Sequence, residues 1–363
     1  MTRHTFIGAE VSYYSGKVRA YLRYKDIPFD EVSATREVYR DVIIPRTGVR
    51  FIPVLISADD VAIQDSTAII DFLEQHHPTP SIYPSTPLQR LLALLLEVYC
   101  DEWLIIPAMH YRWNVPENRE FAIREFGRLS APAASSEEQR AIGEKLSGPF
   151  AGALPHLGVS ATTREAIEAS YRVLLQDFDT HLESQPFLFG TRPSIGDFSL
   201  FGPLYAHLYR DPYSGRLMKQ HAPRVAQWVE RMNQPQPCSG DFLAADDIPA
   251  SLEPLLRRMF AEQGPVLANT LASIEAWAAA HEDPALPRSI GRHAFSLGES
   301  SGERSINPFT IWRWQRPYDH YHALTGIERR RADALLERVG GLETLHVPIR
   351  RRLQRMNNHL FLA

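Results

Sequence analysis

The first 80 residues constrain the fold most, because short apolar runs alternate there with amphipathic segments. Four runs have the length and composition of strands, and they are HTFIGA (4–9), IPFDEV (27–32), FIPVLIS (51–57) and VAIQ (61–64). Three segments between and after them predict helices, and they extend from Ser15 to Lys25, from Glu37 to Ile43 and from Ser66 to His76. The predicted order is therefore β-α-β-α-β-β-α.

This order is that of a thioredoxin-like fold, in which the first βαβ unit must cross over right-handedly. The sequence therefore predicts an α/β domain over residues 1–84. We expect its first helix to start at Gly16, with Ser15 as the natural N-cap.

Two short stretches of this domain carry residue types suited to ligand binding. In RFIPVL, Pro53 stands where a buried strand begins, and proline is tolerated there at an edge, at a strand start or in a cis turn. A cis Pro53 would turn the backbone of Ile52 toward a ligand. Asp65 and Ser66 fall at the start of the last predicted helix, where free backbone N–H groups and the helix dipole attract an anion such as an α-carboxylate. The alternative is that Asp65 or Ser66 simply caps the helix.

From Pro87 onward the pattern becomes helical. The stretch LQRLLALLLEVYCDEWLIIPAMHYRW is almost continuously apolar and predicts a helix buried on most sides, with a break at Pro107. Further along, RPSIGDFSL has Ser194 and Asp197 at the spacing of a capping box, which predicts a structural role for Asp197 rather than a catalytic one. We expect an all-α domain over residues 88–238.

Residues 239–363 predict an additional α+β segment that packs on the helical domain. One or two helices, two strands around a Gly-Ser turn and a further helix stopped by Gly340 and Gly341 can be read from the pattern. Two arginine runs, at 329–331 and 350–352, are compatible with nucleic-acid binding. Their mixture with acidic residues favours a solvated face or ion pairs instead.

Composition excludes several classes of function. A formal net charge of −4 gives no global reason to bind nucleic acid or anionic lipid. No apolar stretch reaches the roughly 20 residues of a membrane span, and the N-terminus lacks the apolar core of a signal peptide, so we expect a cytoplasmic protein. Cys100 and Cys238 cannot build a disulfide framework or a zinc site.

Over residues 4–235 the chain resembles the cytosolic glutathione transferase family. The resemblance lies in linked stretches in the same order, which are SYYSGKVRAYLRYKDIPF, GVRFIPVL, IQDSTAIIDFLEQHHP with SIYP, and RPSIGDFSL. It implies a thioredoxin-like domain that binds glutathione as a co-substrate, a helical domain that holds a second substrate, and a homodimer.

The resemblance also implies roles for individual residues. Ile52 and Pro53 would bind the cysteinyl unit of glutathione, and Asp65 with Ser66 would hold its γ-glutamyl group, although the family more often has Glu than Asp at the acidic position. Ser12 aligns with the serine or cysteine that serves the thiol in serine-type and cysteine-type members. A serine hydroxyl that donates to sulfur stabilises thiolate over thiol. The alternative is that Ser12 is only a helix cap.

The second substrate would be a small, mostly apolar electrophile. In the family the helical domain faces the glutathione site, so five residues of this helical stretch are candidates for its pocket, namely Trp103, Met109, His110, Tyr111 and Trp113. The alternative is that these side chains are ordinary core. Two functions remain open at this point, a glutathione transferase and a non-catalytic binding or interaction protein with the same fold.

Overall fold

The computed structural model describes residues 3–363. Its strands are, in chain order, β1 His4–Gly8, β2 Phe29–Ser33, β3 Val54–Ile56, β4 Ala62–Gln64, β5 Ala285–Leu286, β6 Arg292–Leu297, β7 Ser300–Ser305, β8 Leu353–Met356 and β9 His359–Leu362. Its α-helices are α1 Tyr13–Tyr24, α2 Arg36–Val38, α3 Ile44–Thr47, α4 Ser66–His76, α5 Pro87–Glu102, α6 Ile105–Asn114, α7 Pro116–Ser130, α8 Ser136–Gly152, α9 Arg164–His181, α10 Ile195–Pro203, α11 Pro212–His221, α12 Pro223–Asn233, α13 Glu253–Ala280, α14 Pro308–Ala323, α15 Gly326–Arg338 and α16 Leu342–His346.

Strands β1 to β4 form a mixed sheet in the order β2-β1-β3-β4. β1 pairs in parallel with β2, and the other two pairings are antiparallel. The buried residues Ile7, Ile43 and Val54 form a core cluster beside this sheet. The thioredoxin-like domain predicted from the order of elements is therefore confirmed, and it is followed by the helical part and by further helices and strands, as expected.

The start of α1 differs from the prediction. The helix begins at Tyr13 rather than Gly16, and Ser12 is its N-cap, with an extended backbone (φ −86°, ψ 124°) and a side chain that accepts from the Ser15 N–H. Ser15 lies inside the helix, where its Oγ accepts from the Ala9 N–H at 3.3 Å. Both serines bond locally, which is why spacing alone assigned the cap to the wrong one.

The break in the first long helix also differs from the prediction. α5 ends at Glu102 and α6 begins at Ile105, so the interruption lies at Trp103 and Leu104. Pro107 is in the first turn of α6, where its missing N–H costs no helical hydrogen bond.

Contacts divide the chain into two compact units, and each unit contains separate chain segments. The first unit contains residues 3–82, 108–153 and 198–240, and the second contains 83–107, 154–197 and 241–363. The consecutive domains 1–84, 88–238 and 239–363 remain a prediction from the sequence, and the compact units cut across them.

The capping box of α10 has the structural role that the sequence predicted. Both the backbone N–H and the hydroxyl of Ser194 donate to Oδ2 of Asp197 at 2.8 Å. The N–H of Leu188 donates to Oδ1 at 3.0 Å. All donors of this carboxylate lie within the second unit, and Asp197 itself is fully buried.

In the second unit, the residues from 241 onward supply buried partners to α5. Arg313 of α14 contacts Asp101 at 2.9 Å and Glu102 at 3.2 Å, and all three side chains are buried. The carboxylate of Asp246 accepts from the N–H groups of Leu88 and Gln89 at the start of α5.

Arginines from both runs form ion pairs. Arg329 contacts Asp333 at 2.8 Å, Arg350 contacts Glu275 at 3.3 Å, and Arg352 contacts Asp319 at 2.5 Å. These pairs support the ion-pair interpretation of the runs.

Within residues 3–363, no helix is long and apolar enough to cross a membrane. The same residues hold no group of three or more side chains arranged to ligate a metal ion.

Candidate functional site

Three loops meet at one edge of the mixed sheet. In the strand register Ile7 of β1 lies opposite Val54 of β3, which in turn lies opposite Gln64 of β4. Because β3 runs antiparallel to both neighbours, the end of β1, the start of β3 and the end of β4 share this edge. The register therefore brings Ser12, Ile52–Pro53 and Asp65–Ser66 to the same side of the sheet, as a common site requires.

The Ile52–Pro53 peptide bond is cis, as the sequence suggested. Pro53 is buried and precedes the first paired residue of β3, and Ile52 lies outside the ladder. The proline therefore removes no ladder hydrogen bond.

Asp65 caps α4. Its Oδ1 accepts from the N–H groups of Thr67 at 2.9 Å and Ala68 at 3.1 Å, and its backbone has a positive φ of 93°. The sequence led us to expect these first-turn N–H groups to face an anion, and this expectation is wrong for the two that the cap occupies. The capping alternative thus describes Asp65 correctly.

Ser66 is the buried polar residue of this edge that lacks a partner. Its side chain is 1% exposed, and among the described residues its Oγ has no hydrogen-bond partner. A buried hydroxyl without a partner costs on the order of 1–3 kcal/mol of stability. A ligand group that bonds to this hydroxyl would remove that cost.

Ser12 presents its hydroxyl next to the same edge. Its Oγ accepts from the Ser15 N–H at 3.3 Å, and this contact uses a lone pair and leaves the hydroxyl hydrogen for another acceptor. The cap and the proposed thiol contact are therefore compatible, since one uses Ser12 as acceptor and the other uses it as donor.

Lys17 follows on α1 and is fully buried. Its Nζ donates to Oγ1 of Thr67 at 3.3 Å, which links α1 to the first turn of α4. This contact joins the element that carries Ser12 to the element that carries Ser66.

The loop before Ser12 has a contact that the sequence interpretation missed. Nη1 of Arg112, on α6, donates to the carbonyl oxygen of Val11 at 2.8 Å. The signal was an arginine within the run AMHYRW, where a buried cation needs specific partners.

Trp103 lies in the second unit, where its side chain is buried and packs against other residues. Its indole N–H donates to Oε2 of Glu262 at 2.8 Å. Its ring meets Phe295 edge to face, with centroids 6.1 Å apart, and the guanidinium of Arg304 lies 4.9 Å from the ring centroid. These contacts favour the core alternative for this residue.

His110 and Tyr111 are buried in the first unit. The Asn114 amide donates to Nδ1 of His110 at 2.9 Å, and this bond places the ring proton on Nε2. The Tyr111 ring stacks on Tyr213 with centroids 6.4 Å apart. Both residues have the contacts of a packed core, and neither lines the cleft described next.

Trp113 lines a cleft of about 530 Å³ in the first unit. Its ring stacks with Phe126 and Phe150, at centroid separations of 5.8 and 6.3 Å. The lining comes from α6, α7, α8 and the residues between them and consists of Trp113, Asn114, Pro116, Arg119, Glu120, Ile123, Arg140 and Glu144. Four of these side chains are charged, so the cleft is amphipathic.

Two parts of the chain match known family models. Residues 6–81 match the glutathione S-transferase N-terminal domain, and residues 160–231 match the glutathione S-transferase C-terminal domain. A comparison with curated proteins found no match.

Similar solved structures align with about two thirds of this chain. A glutathione S-transferase from Rhodospirillum rubrum is 18% identical over 68% of this chain and 96% of its own, with a TM-score of 0.43. One from Methylobacterium radiotolerans, in complex with glutathione sulfonate, is 21% identical over 67% and 98%, with a TM-score of 0.42. A beta-etherase from Sphingobium is 18% identical over 66% and 97%, with a TM-score of 0.46.

Proposed function

Because this chain carries the N-terminal and C-terminal domains of the glutathione S-transferase family, we propose that it is an enzyme that activates the thiol of glutathione for attack on an electrophilic carbon. The observation that carries this proposal is the convergence of Ser12, Ile52–Pro53 and Asp65–Ser66 at one edge of the sheet.

Glutathione is proposed to bind along this edge. The backbone of Ile52, turned by the cis Pro53, pairs with its cysteinyl unit. Ser66 and Asp65 hold its γ-glutamyl group. Support comes from the buried Oγ of Ser66, which has no hydrogen-bond partner among the described residues, and from the Asp65 carboxylate at the start of the same helix.

Ser12 is proposed to activate the thiol. Its hydroxyl donates a hydrogen bond to the glutathione sulfur and stabilises the thiolate, while the thiol proton leaves to solvent. The thiolate sulfur then forms a bond to the electrophilic carbon, and the leaving group departs from that carbon with the electron pair of the broken bond. Holding both reactants in place supplies the remainder of the rate enhancement.

Trp113 is the residue we propose for contact with the second substrate. The support is its position in the wall of the 530 Å³ cleft, whose mixed lining suits a small electrophile with one apolar and one polar end. The packing of Trp103, His110 and Tyr111 supports structural roles for them.

We further propose that the protein is a cytoplasmic homodimer, as the family resemblance implies. Light scattering of the purified protein tests whether it is a dimer.

The first experiment asks whether the protein binds glutathione. We expect it to be retained on immobilised glutathione and to be eluted by free glutathione. A protein that passes through unretained and shows no binding by calorimetry would favour the non-catalytic alternative.

The second experiment tests Ser12 itself. The ultraviolet absorbance of the glutathione thiolate is titrated against pH in the wild type, in Ser12→Ala and in Tyr14→Phe, which removes a neighbouring hydroxyl from α1. We expect Ser12→Ala to raise the pKa of the bound thiol by about one to two units, because one charge-assisted hydrogen bond is lost. Tyr14→Phe should titrate like the wild type. Identical curves for all three proteins would remove Ser12 from the mechanism.

A cysteine variant tests the same position in a different way. Ser12→Cys should gain thiol–disulfide exchange with glutathione, since a cysteine at a helix N-terminus has a lowered pKa. The wild type should lack this activity. The cysteine already present, Cys238, is remote from Ser12. Its N–H donates to the carbonyl of Tyr24 at the far end of α1, about 18 Å along the helix axis from Ser12.

A further inference from the structure

We propose that Arg112 is a positioning residue for Ser12, which fixes the peptide unit before Ser12 so that the hydroxyl faces the glutathione sulfur. This inference rests on the proposed function. It concerns a residue of α6 that lies outside both segments matched by the family models.

Arg112 is held rigidly by a buried carboxylate. Its Nε donates to Oδ2 of Asp211 at 2.8 Å, and its Nη2 donates to Oδ1 at 2.7 Å. Both residues are almost completely buried, with exposed fractions of 1% and 0%. A bidentate pair of this kind fixes the plane of the guanidinium group.

The orientation of that plane directs the third nitrogen at the loop. Nη1 of Arg112 donates to the carbonyl oxygen of Val11 at 2.8 Å. This carbonyl and the Ser12 N–H belong to the same planar peptide unit. The N–H side of the unit is also held, because it donates to the Ala9 carbonyl at 3.0 Å. Both ends of the peptide before Ser12 are therefore fixed by hydrogen bonds.

The remaining contacts of Arg112 come from the π-helical segment Leu204–Tyr209. Nη1 lies 3.0 Å from Nε2 of His207, and Nη2 donates to the carbonyl of Ala206. Because arginine can only donate, His207 accepts at Nε2 and is neutral. Burial, together with the charges of Arg112 and Arg210, holds the pKa of His207 well below its usual range. His207 therefore adds no charge beside the Arg112–Asp211 ion pair.

The His207 ring also contacts the loop directly. It meets the ring of Tyr13 edge to face at 5.9 Å, and Tyr13 is the first residue of α1. On the other side of Ser12, the Tyr205 hydroxyl donates to Oε1 of Glu10 at 3.0 Å. The segment from Glu10 to Tyr13 is thus held by the Arg112 hydrogen bond from α6 and by contacts from the π-helical segment Leu204–Tyr209.

A buried ion pair of this kind could also serve stability alone, so a matched control is needed. Arg313 is likewise buried and pairs with the fully buried Asp101, and both belong to the second unit, whereas the residues of the proposed glutathione site belong to the first. Arg112→Lys and Arg313→Lys each replace a planar fork by a single ammonium group while keeping the charge. Both variants should lose stability to a similar extent.

The test is the pH titration of the bound glutathione thiolate in these two variants, at saturating glutathione. We expect Arg112→Lys to raise the thiol pKa by about half a unit to one unit, since a displaced Ser12 hydroxyl makes a weaker hydrogen bond. Arg313→Lys should leave that pKa unchanged. If Ser12→Ala shifts the pKa and Arg112→Lys does not, the positioning role is wrong and the proposed function stands. If Ser12→Ala itself has no effect, the proposed function is wrong at Ser12.

A second variant covers the case in which Arg112→Lys fails to fold. Asp211→Asn keeps one oxygen acceptor for Arg112 and replaces the negatively charged carboxylate by a neutral amide. We expect Asp211→Asn to raise the thiol pKa as Arg112→Lys does, but by less. In the double variant Ser12→Ala/Asp211→Asn, the thiol pKa should equal that of Ser12→Ala alone. A shift that persists in the absence of the Ser12 hydroxyl would overturn the proposal.

Discussion

At the scale of single residues, two buried serine hydroxyls allow ligand binding to be separated from packing. Ser66 and Ser199 are both almost fully buried, and among the described residues neither Oγ has a hydrogen-bond partner. Removing an unpartnered buried hydroxyl relieves a desolvation cost, so we expect Ser66→Ala and Ser199→Ala each to leave the melting temperature unchanged or slightly raised. Glutathione affinity should fall in Ser66→Ala alone, by roughly tenfold for the loss of one hydrogen bond to a charged group. Calorimetric titration with glutathione measures both variants, and an unchanged dissociation constant in Ser66→Ala would show that the γ-glutamyl group lies elsewhere.

At the scale of secondary-structure elements, the start of α10 makes a prediction about pH. Burial raises the pKa of Asp197 to about 6, against the opposing effect of the Ser194 and Leu188 donors. A carboxyl group whose pKa is higher in the folded state than in the unfolded state contributes stability below the unfolded pKa and loses that contribution as pH rises through 6. Relative to Asp197→Asn, which does not titrate, the wild type should therefore gain about 1 kcal/mol of unfolding free energy between pH 8 and pH 5. Urea unfolding of the wild type and of Asp197→Asn at each pH measures this difference. Parallel curves for wild type and Asp197→Asn would show that Asp197 stays ionised in the fold.

The same scale shows what the sequence could and could not predict. Short apolar runs located β1 to β4, helical periodicity located α4, and the spacing of Ser194 and Asp197 marked the start of α10. Choosing between Ser12 and Ser15 as N-cap required the backbone angles, since both side chains can bond locally. Arg112 could not be assigned from spacing, because its partners Val11 and Asp211 are about 100 residues away on either side.

At the scale of the whole molecule, residues 241–363 complete the second unit. They supply the Asp246 cap of α5, the Glu262 partner of Trp103 and the Arg313 partner of Asp101. α13, β6 and α14 belong to the same unit as α5 and α9, so the segment is part of a core rather than an appendage. The family models end at residue 231, which explains why the resemblance could not predict this role.

A truncation at residue 240 tests this conclusion against a control whose chain is cut a few residues earlier but keeps both pieces. In the control, a protease site is placed at the exposed Gln236–Pro237 segment, and the protein is cleaved after folding so that both pieces remain. We expect the cleaved protein to keep the melting temperature of the intact chain to within a few degrees, because buried contacts rather than the covalent link hold 241–363 in place. The chain that ends at 240 should lose cooperative melting of its second unit and bind a hydrophobic dye, since residues 83–107 and 154–197 then expose apolar surface that they normally bury. Circular dichroism and dye fluorescence measure the two proteins side by side. If the truncated chain melts as cooperatively as the cleaved protein and binds no dye, residues 241–363 are dispensable for the core.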